Sequence, residues 1–182
     1  MTLLDVLARE RFLPLAVVGH AAEAPALVDE IAAAGHGLVE IALRTDAAVE
    51  AIAGVGGRTD VLVGAGTVTT TEQVDAVVDA GARFVVTPGF RADVVARCLD
   101  RGVDVLPGVA TPGEVMAAVA VGLSTVKLFP AAVLGGPAMV DALAGPFPDV
   151  RVVPSGGITP DLVPVYLERP TVLAVSGSWR RP

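Results

Sequence analysis

Lys127 is the only lysine among 182 residues, and the other twelve basic residues are arginines. It lies in Ser124-Thr125-Val126-Lys127-Leu128-Phe129-Pro130, an apolar, β-branched stretch bounded by Gly122 and Pro130. Period-two alternation puts Lys127 and Phe129 on one face of a strand and Val126 and Leu128 on the other. Burial disfavours an ammonium relative to a neutral amine. A neutral, oriented amine attacks carbonyl carbon and forms Schiff bases. Arginine stays protonated and cannot take that role. The plainer reading is a lysine at a strand end whose head reaches water.

A second anomaly is Glu40, which interrupts Leu38-Val39-Glu40-Ile41-Ala42-Leu43. A carboxylate in such a strand is costly unless paired. It reads either as a structural ion pair with Lys127 or Arg44, or as a general base beside a Schiff-base lysine. Arg44, four residues on, falls on the same face if the strand continues. Its planar fork suits a carboxylate, against the alternative of a solvated strand end. Thr67, after Gly64-Ala65-Gly66, offers a hydroxyl. Two glycine-containing stretches, Ser155-Gly156-Gly157 and Ser176-Gly177-Ser178, follow late apolar strands. Backbone amides exposed at glycines form anion nests, so Ser155, Gly156, Gly157, Gly177 and Ser178 read as a phosphate cradle or, more plainly, as tight turns.

These residues need elements to hold them. The pattern predicts a helix over residues 2–10 and strands over 13–18, 37–44, 60–65, 83–87, 103–106, around Lys127, over 150–153 and over 172–175. Between them it predicts helices over 23–34, from Thr45-Asp46 to 53, over 71–81, 91–101, from the Thr111-Pro112-Gly113-Glu114 capping box to 122, over 137–143, and from Thr159-Pro160 to 168. Strands that are apolar along their whole length are buried on both faces, as in parallel sheets covered by helices. Eight such units with right-handed crossovers close most simply into a single-domain α/β (β/α)₈ TIM barrel spanning 1–182. An open doubly wound sheet is the alternative, and no G-x-G-x-x-G follows the first strand to support its dinucleotide-binding form. In a barrel, chemistry sits at the carboxyl ends of the strands, with phosphate often bound after strands seven and eight. The sequence stops just past the eighth strand, so the expected barrel lacks its final outer helix. The outer face of strands eight and one, alternate residues of 172–175 and 13–17, is then expected to be exposed and apolar.

Composition narrows the class. Hydrophobic residues make up 53% and the net charge is −7, which argues against a nucleic-acid partner. No apolar run reaches the roughly 18 residues of a membrane span. The start of the chain has neither a basic region nor a signal-peptide core. One cysteine, Cys98, leaves no internal disulfide and no multi-cysteine zinc site. A reducing, cytoplasmic protein is expected.

Taken together, the stretches Val39-Glu40-Ile41-Ala42-Leu43-Arg44-Thr45, Gly64-Ala65-Gly66-Thr67-Val68, Thr87-Pro88-Gly89, Lys127-Leu128-Phe129-Pro130-Ala131, Pro154-Ser155-Gly156-Gly157-Ile158 and Gly177-Ser178-Trp179 resemble the class I 2-keto-3-deoxy-6-phosphogluconate (KDPG) and 4-hydroxy-2-oxoglutarate aldolase family. The resemblance implies that Lys127 forms the pyruvyl Schiff base and Glu40 is the acid/base. Arg44 and Thr67 would hold the pyruvyl carboxylate, and Pro88 and Phe129 would wall the pyruvyl pocket. Ser155, Gly156, Gly157, Gly177 and Ser178 would take the phosphate. It further implies a metal-free, cofactor-free enzyme, a trimer, acting on a 2-keto-3-deoxy acid phosphate and pyruvate. Competing readings are an aldolase for the galactonate-derived epimer, a phosphosugar-binding barrel without catalysis, and an assembly subunit. The family often has an arginine after the first strand, where this chain has Gly19-His20. That cation is missing unless His20 or Arg180 substitutes. Ser155 stands where threonine is common, and the hydroxyl is kept.

Overall fold

A computed structural model describes residues 2–179. Helix α1 (Leu3–Glu10) begins at Thr2, whose hydroxyl accepts from the Asp5 amide while the Asp5 carboxylate accepts from the Thr2 amide, a reciprocal cap. Strands and helices then alternate: β1 (Phe12–Ala16), α2 (Ala24–Ala33), β2 (Leu38–Ala42), α3 (Ala48–Val55), β3 (Leu62–Gly66), α4 (Thr71–Asp79), β4 (Phe84–Val86), α5 (Ala92–Asp100), β5 (Asp104–Leu106), β6 (Gly108–Val109), α6 (Pro112–Ala120), β7 (Thr125–Leu128), α7 (Pro137–Ala144), β8 (Arg151–Pro154), α8 (Leu162–Leu167) and β9 (Val175–Ser178).

Every named strand pair is parallel, in a six-stranded sheet ordered β5-β4-β3-β2-β1-β9 and a three-stranded sheet ordered β6-β7-β8. The fold is thus α/β with parallel strands. Isolated parallel bridges, Val152 to Val172 and Ser155 to Ser176, join the two sheets on one side. On the other side β5 passes into β6 across Pro107, which has no N–H to give to a ladder.

The strands separate three apolar layers, because their side chains alternate between faces. Val39, Ile41, Val63, Ala65 and Val85 pack outward against α2 to α5. Val126, Leu128, Val152, Val172 and Val175 pack outward against α6 to α8. Leu13, Leu38, Leu62, Phe84, Leu106, Val153 and Ala174 face inward, with Leu3, Val6 and Leu7 of α1 against them. Leucine and phenylalanine therefore close the amino-terminal ends of the strands, and polar side chains lie nearer their carboxyl ends.

Several boundaries differ from the sequence reading. β2 stops at Ala42, so Arg44 lies in the turn that follows and the period-two argument does not reach it. Thr45 does not cap α3; its hydroxyl donates to the Val18 carbonyl at 2.7 Å and ties the β1 and β2 ends together. The last strand starts at Val175 rather than at 172. The Val172 carbonyl accepts the Arg11 guanidinium and the Leu173 amide donates to Val152, so pairing with β1 begins only where Val175 donates to the Arg11 carbonyl.

The expected exposed face along the last and first strands is also corrected. Leu13, Leu15, Val172, Ala174 and Val175 are buried, and Val17 alone of the predicted residues is strongly exposed, at 48%. α2 and α8 cover the outward side, at Ala16 and Val175, while Leu13 and Ala174 face inward onto α1. What remains is a groove of about 980 Å³ bordered by Val17, Leu27, Glu30 and Trp179, where the Trp179 indole donates to Glu30 at 3.0 Å.

Candidate active site

Lys127 sits on β7 with Val126 and Leu128 turned outward, so its side chain enters the interior. Glu40 enters from β2 by the same alternation, between outward-facing Val39 and Ile41. The two meet: Lys127 Nζ donates to Glu40 Oε1 at 3.2 Å, with the residues 4% and 0% exposed. Neither head reaches open water, which removes the plain strand-end reading of Lys127. Glu40 Oε2 is buried and has no hydrogen-bond partner among the described residues. The carboxylate fits because β3 carries no side chain at Gly66. A Cβ there would lie 2.1 Å from Glu40 Oε1. Two residues earlier Gly64 gives the same room to the Phe84 ring, 2.4 Å from an added Cβ.

Beside this pair lies a cleft of about 350 Å³ lined by Leu15, Arg44, Phe129, Ser155, Gly156, Gly157, Ser176, Gly177 and Ser178, among others. Phe129 joins the two features: its ring centroid is 5.5 Å from Lys127 Nζ. All five residues read as a phosphate cradle line this one cleft. Gly156 and Gly157 both have positive φ, 93° and 73°, a conformation glycine adopts at no steric cost. Ser155 is buried and bridged to Ser176, while its carbonyl accepts from the Ala131 amide at 2.7 Å. These are built turns at the junction of the two sheets. Arg44 is exposed at the cleft rim and its guanidinium has no ion-pair partner among the described residues.

Thr67 and Pro88 do not line this cleft. Thr67 directly follows Gly66 and has φ 60°, a conformation rare for a β-branched residue and of the kind that persists at functional sites at a cost of about 1–3 kcal/mol. Pro88 borders a smaller neighbouring pocket with Thr87 and Phe90. Its backbone lies so close to Gly108 that a Cβ there would be 2.4 Å from the Pro88 carbonyl carbon. Gly108 in turn pairs with Lys127, which puts Pro88 one strand from the amine. The Thr87 hydroxyl fixes this corner, accepting from the Gly108 amide at 3.1 Å and donating to the Gly89 carbonyl at 2.8 Å.

His20 is exposed and is not in the cleft lining; the loop around it is held by Glu23, whose carboxylate accepts from the Gly19 amide at 3.0 Å. Arg180 lies outside the described residues. Cys98, on α5, is fully buried, and burial pushes its thiol up to about 11. It packs and offers no nucleophile. Among the described residues no group of three or more His, Cys, Asp or Glu side chains gathers to hold a metal, and no helix is long and apolar enough to cross a membrane. Sequence reasoning did not assign Ser176 to the site. Its signal was the alternation after Ala174, hidden because the strand was expected to end at 175.

An amine nucleophile paired with a buried carboxylate, beside a cleft rich in backbone amides and one arginine, suits carbonyl chemistry on an anionic substrate. The comparisons agree. A 2-dehydro-3-deoxy-phosphogluconate aldolase of Treponema pallidum is 44% identical over 183 residues, covering 100% of this chain and 87% of the relative. A crystal structure of the 2-keto-3-deoxy-6-phosphogluconate aldolase of Zymomonas mobilis ZM4 with 3-phosphoglycerate superposes with TM-score 0.93 at 37% identity, covering 98% of this chain and 86% of that one. The KDPG aldolase of Legionella pneumophila, with pyruvate captured as a covalent carbinolamine intermediate, gives TM-score 0.92 at 36% identity over 97% and 86%. The family description "KDPG and KHG aldolase" matches residues 3–182, and the chain belongs to that family.

Proposed function

We propose that the chain is a class I aldolase that reversibly cleaves 2-keto-3-deoxy-6-phosphogluconate to pyruvate and glyceraldehyde 3-phosphate. By the same route it cleaves 4-hydroxy-2-oxoglutarate to pyruvate and glyoxylate. The observation that carries this reading is the buried contact of Lys127 Nζ with Glu40 Oε1 at 3.2 Å. Lys127 attacks the C2 ketone, and Glu40 gives a proton to the carbinolamine oxygen, which leaves as water. The protonated imine is an electron sink. The Glu40 carboxylate takes the C4 hydroxyl proton and the aldehyde forms as C3–C4 breaks; that bond's electrons form the enamine C2=C3 and the C2=N electrons move onto nitrogen. A proton returned to C3 and hydrolysis of the imine release pyruvate and free Lys127. Every step uses the lysine, the carboxylate and water, so the cycle as written calls on no metal or cofactor.

Arg44 and Thr67 take the pyruvyl carboxylate in this scheme, Arg44 through its fork and Thr67 through its hydroxyl. Pro88 and Phe129 wall the pyruvyl pocket. Ser155, Gly156, Gly157, Gly177 and Ser178 take the phosphate through backbone amides and hydroxyls. The bound pyruvate and 3-phosphoglycerate of the two relatives' structures favour the same ligand chemistry here.

We read the two sheets as one closed (β/α)₈ barrel over the single domain 1–182, with β5 and β6 as two halves of one strand. The bridges at Val172 and Ser176 support closure on the other side. We also read the protein as cytoplasmic and as a homo-oligomer, a trimer. Met116, Val119 and Val121, on and just after α6, are 62%, 46% and 42% exposed, an apolar strip that a second copy would cover.

The test is borohydride reduction in the presence of pyruvate, followed by intact mass and peptide mapping. One reduced pyruvyl adduct is expected at Lys127; only the N-terminal amine competes, since no other lysine exists. Folded protein that stays unmodified in excess pyruvate overturns the Schiff-base reading. Trapping without cleavage of either substrate overturns the substrate assignment alone.

A further inference from the structure

We propose that Ser176 is a positioning residue of the Lys127–Glu40 centre: its hydroxyl and Glu40 Oε2 share one water, which orients the carboxylate for proton transfer. This rests on the closed-barrel aldolase reading above and deepens it.

Ser176 is 0% exposed and yet lines the cleft beside Lys127. On β9, Ala174 packs in the interior layer and Val175 in the outer one, so alternation turns Ser176 inward. Its Oγ is buried and has no hydrogen-bond partner among the described residues, as is Glu40 Oε2. A serine hydroxyl both donates and accepts, whereas an ionised carboxylate oxygen only accepts. Buried polar atoms without partners call for an explanation, and one water making about three hydrogen bonds satisfies two such atoms at once.

Strand register brings the two atoms to one level. In a (β/α)₈ barrel the interior side chains of one layer come from alternate strands, and the register climbs by eight residues around the ring, one per strand. Glu40 pairs with Gly64. One residue on, Ala65 pairs with Val85, and one on again, Val86 pairs with Leu106. The next step reaches Pro107 and, by the Gly108–Lys127 register, Val126. Lys127 then pairs with Val153. Pro154 steps to Val175 by the Ser155–Ser176 bridge. Ser176 pairs with Leu13, and Pro14 returns to Val39 by the Leu15–Glu40 pair, one residue before Glu40. The circuit closes on itself. Its alternate members are Glu40, Val86, Lys127 and Ser176, one four-residue layer in which Ser176 is the only polar group besides the reacting pair.

The chemical consequence concerns the imine–enamine step. Oε1 of Glu40 is held by Lys127 Nζ, so Oε2 is the oxygen free to take a proton. In the pyruvyl imine the C3–H bond breaks and its proton goes to Oε2. The C–H electrons form C2=C3, and the C2=N electrons move onto nitrogen. Holding Oε2 from the Ser176 side fixes the carboxylate plane for that transfer and leaves amine attack untouched.

The experiment follows two readouts on the full chain with pyruvate: borohydride trapping, which reports imine formation, and exchange of the pyruvate methyl protons for deuterium by NMR, which reports transfer to and from C3. The parent should trap and exchange. Ser176→Ala should trap to the same extent and exchange about tenfold more slowly, the size of one hydrogen bond, and Ser176→Thr should recover most of the rate. Ser176→Gly replaces the alanine variant should that one not fold, with the same expectation. Exchange at the parental rate without the hydroxyl overturns the proposal while leaving the aldolase reading intact. Trapping and exchange that fall together also overturn it, since the residue would then be acting on imine formation. A parent that does not trap overturns the aldolase reading and this proposal with it.

Discussion

At the scale of single residues, the 3.2 Å contact between Lys127 and Glu40 sets stability and chemistry against each other. Removing one member of a buried ion pair strands the other, at a typical cost of about 3–5 kcal/mol. Replacing both with well-packed apolar groups of similar volume is often neutral. Lys127→Met should therefore lower the unfolding free energy by about 3–5 kcal/mol, and the double variant Lys127→Met with Glu40→Met should recover most of that loss while remaining inactive. Glu40→Gln alone should slow turnover about 10²–10⁴-fold, the range for acid/base residues. Chemical denaturation and steady-state turnover on the three variants measure this. A double variant as unstable as Lys127→Met would mean that the pair is not what stabilises the interior here. Arg44 differs in kind: it is exposed, unpaired among the described residues and at the rim, so little of the fold depends on it.

At the scale of elements, β3 carries two glycines with different duties. Gly66 leaves room for the Glu40 carboxylate and Gly64 leaves room for the Phe84 ring. Gly66→Ala should displace Glu40 from Lys127 and reduce turnover at least tenfold. Gly64→Ala should overpack the interior against Phe84, costing about 1–3 kcal/mol of stability, with the ion pair still in place. Thermal unfolding and turnover, read together, separate the two; equal losses of stability with parental turnover in both would remove Gly66 from the site. The elements themselves were largely legible. Apolar strands alternating with amphipathic helices, the capping box at Thr111 and the helix at the start of the chain are local patterns, and the structure has them. The failures were at ends. Arg44 fell off its strand and Thr45 left its expected cap because its hydroxyl found the Val18 carbonyl. β9 slid by three residues because Arg11 takes the Val172 carbonyl.

For the whole molecule, the face expected to be bare along the last and first strands is mostly covered by α2 and α8. The exposed apolar strip lies instead at Met116, Val119 and Val121. Burial between copies depends on concentration. Sedimentation at falling protein concentration should show the homo-oligomer dissociating, and Met116→Asp should shift the mass toward monomer at concentrations where the parent is still assembled. Borohydride trapping should survive in that variant, since Met116 is not part of the site. A parent that sediments as a monomer at every concentration would falsify the assembly reading.

Sequence by itself singled out Lys127 as the candidate nucleophile and Glu40 as its candidate acidic counterpart, together with the α/β class of the fold. A lone lysine in an apolar strand and a carboxylate in another are anomalies of composition, and strand and helix periods are read within a few residues of one another. The family resemblance then supplied expected roles for those positions. Only the tertiary structure decided that Glu40 and Lys127, 87 residues apart, share one hydrogen bond. It alone separated the cleft residues from Thr67 and Pro88, and drew Ser176 into the interior. Those outcomes depend on the register between neighbouring strands, and a shift of a residue or two at one strand end moves a side chain to another level or another face. No local pattern encodes that register. It is set by which backbone groups distant segments take from one another, as Arg11 does from Val172.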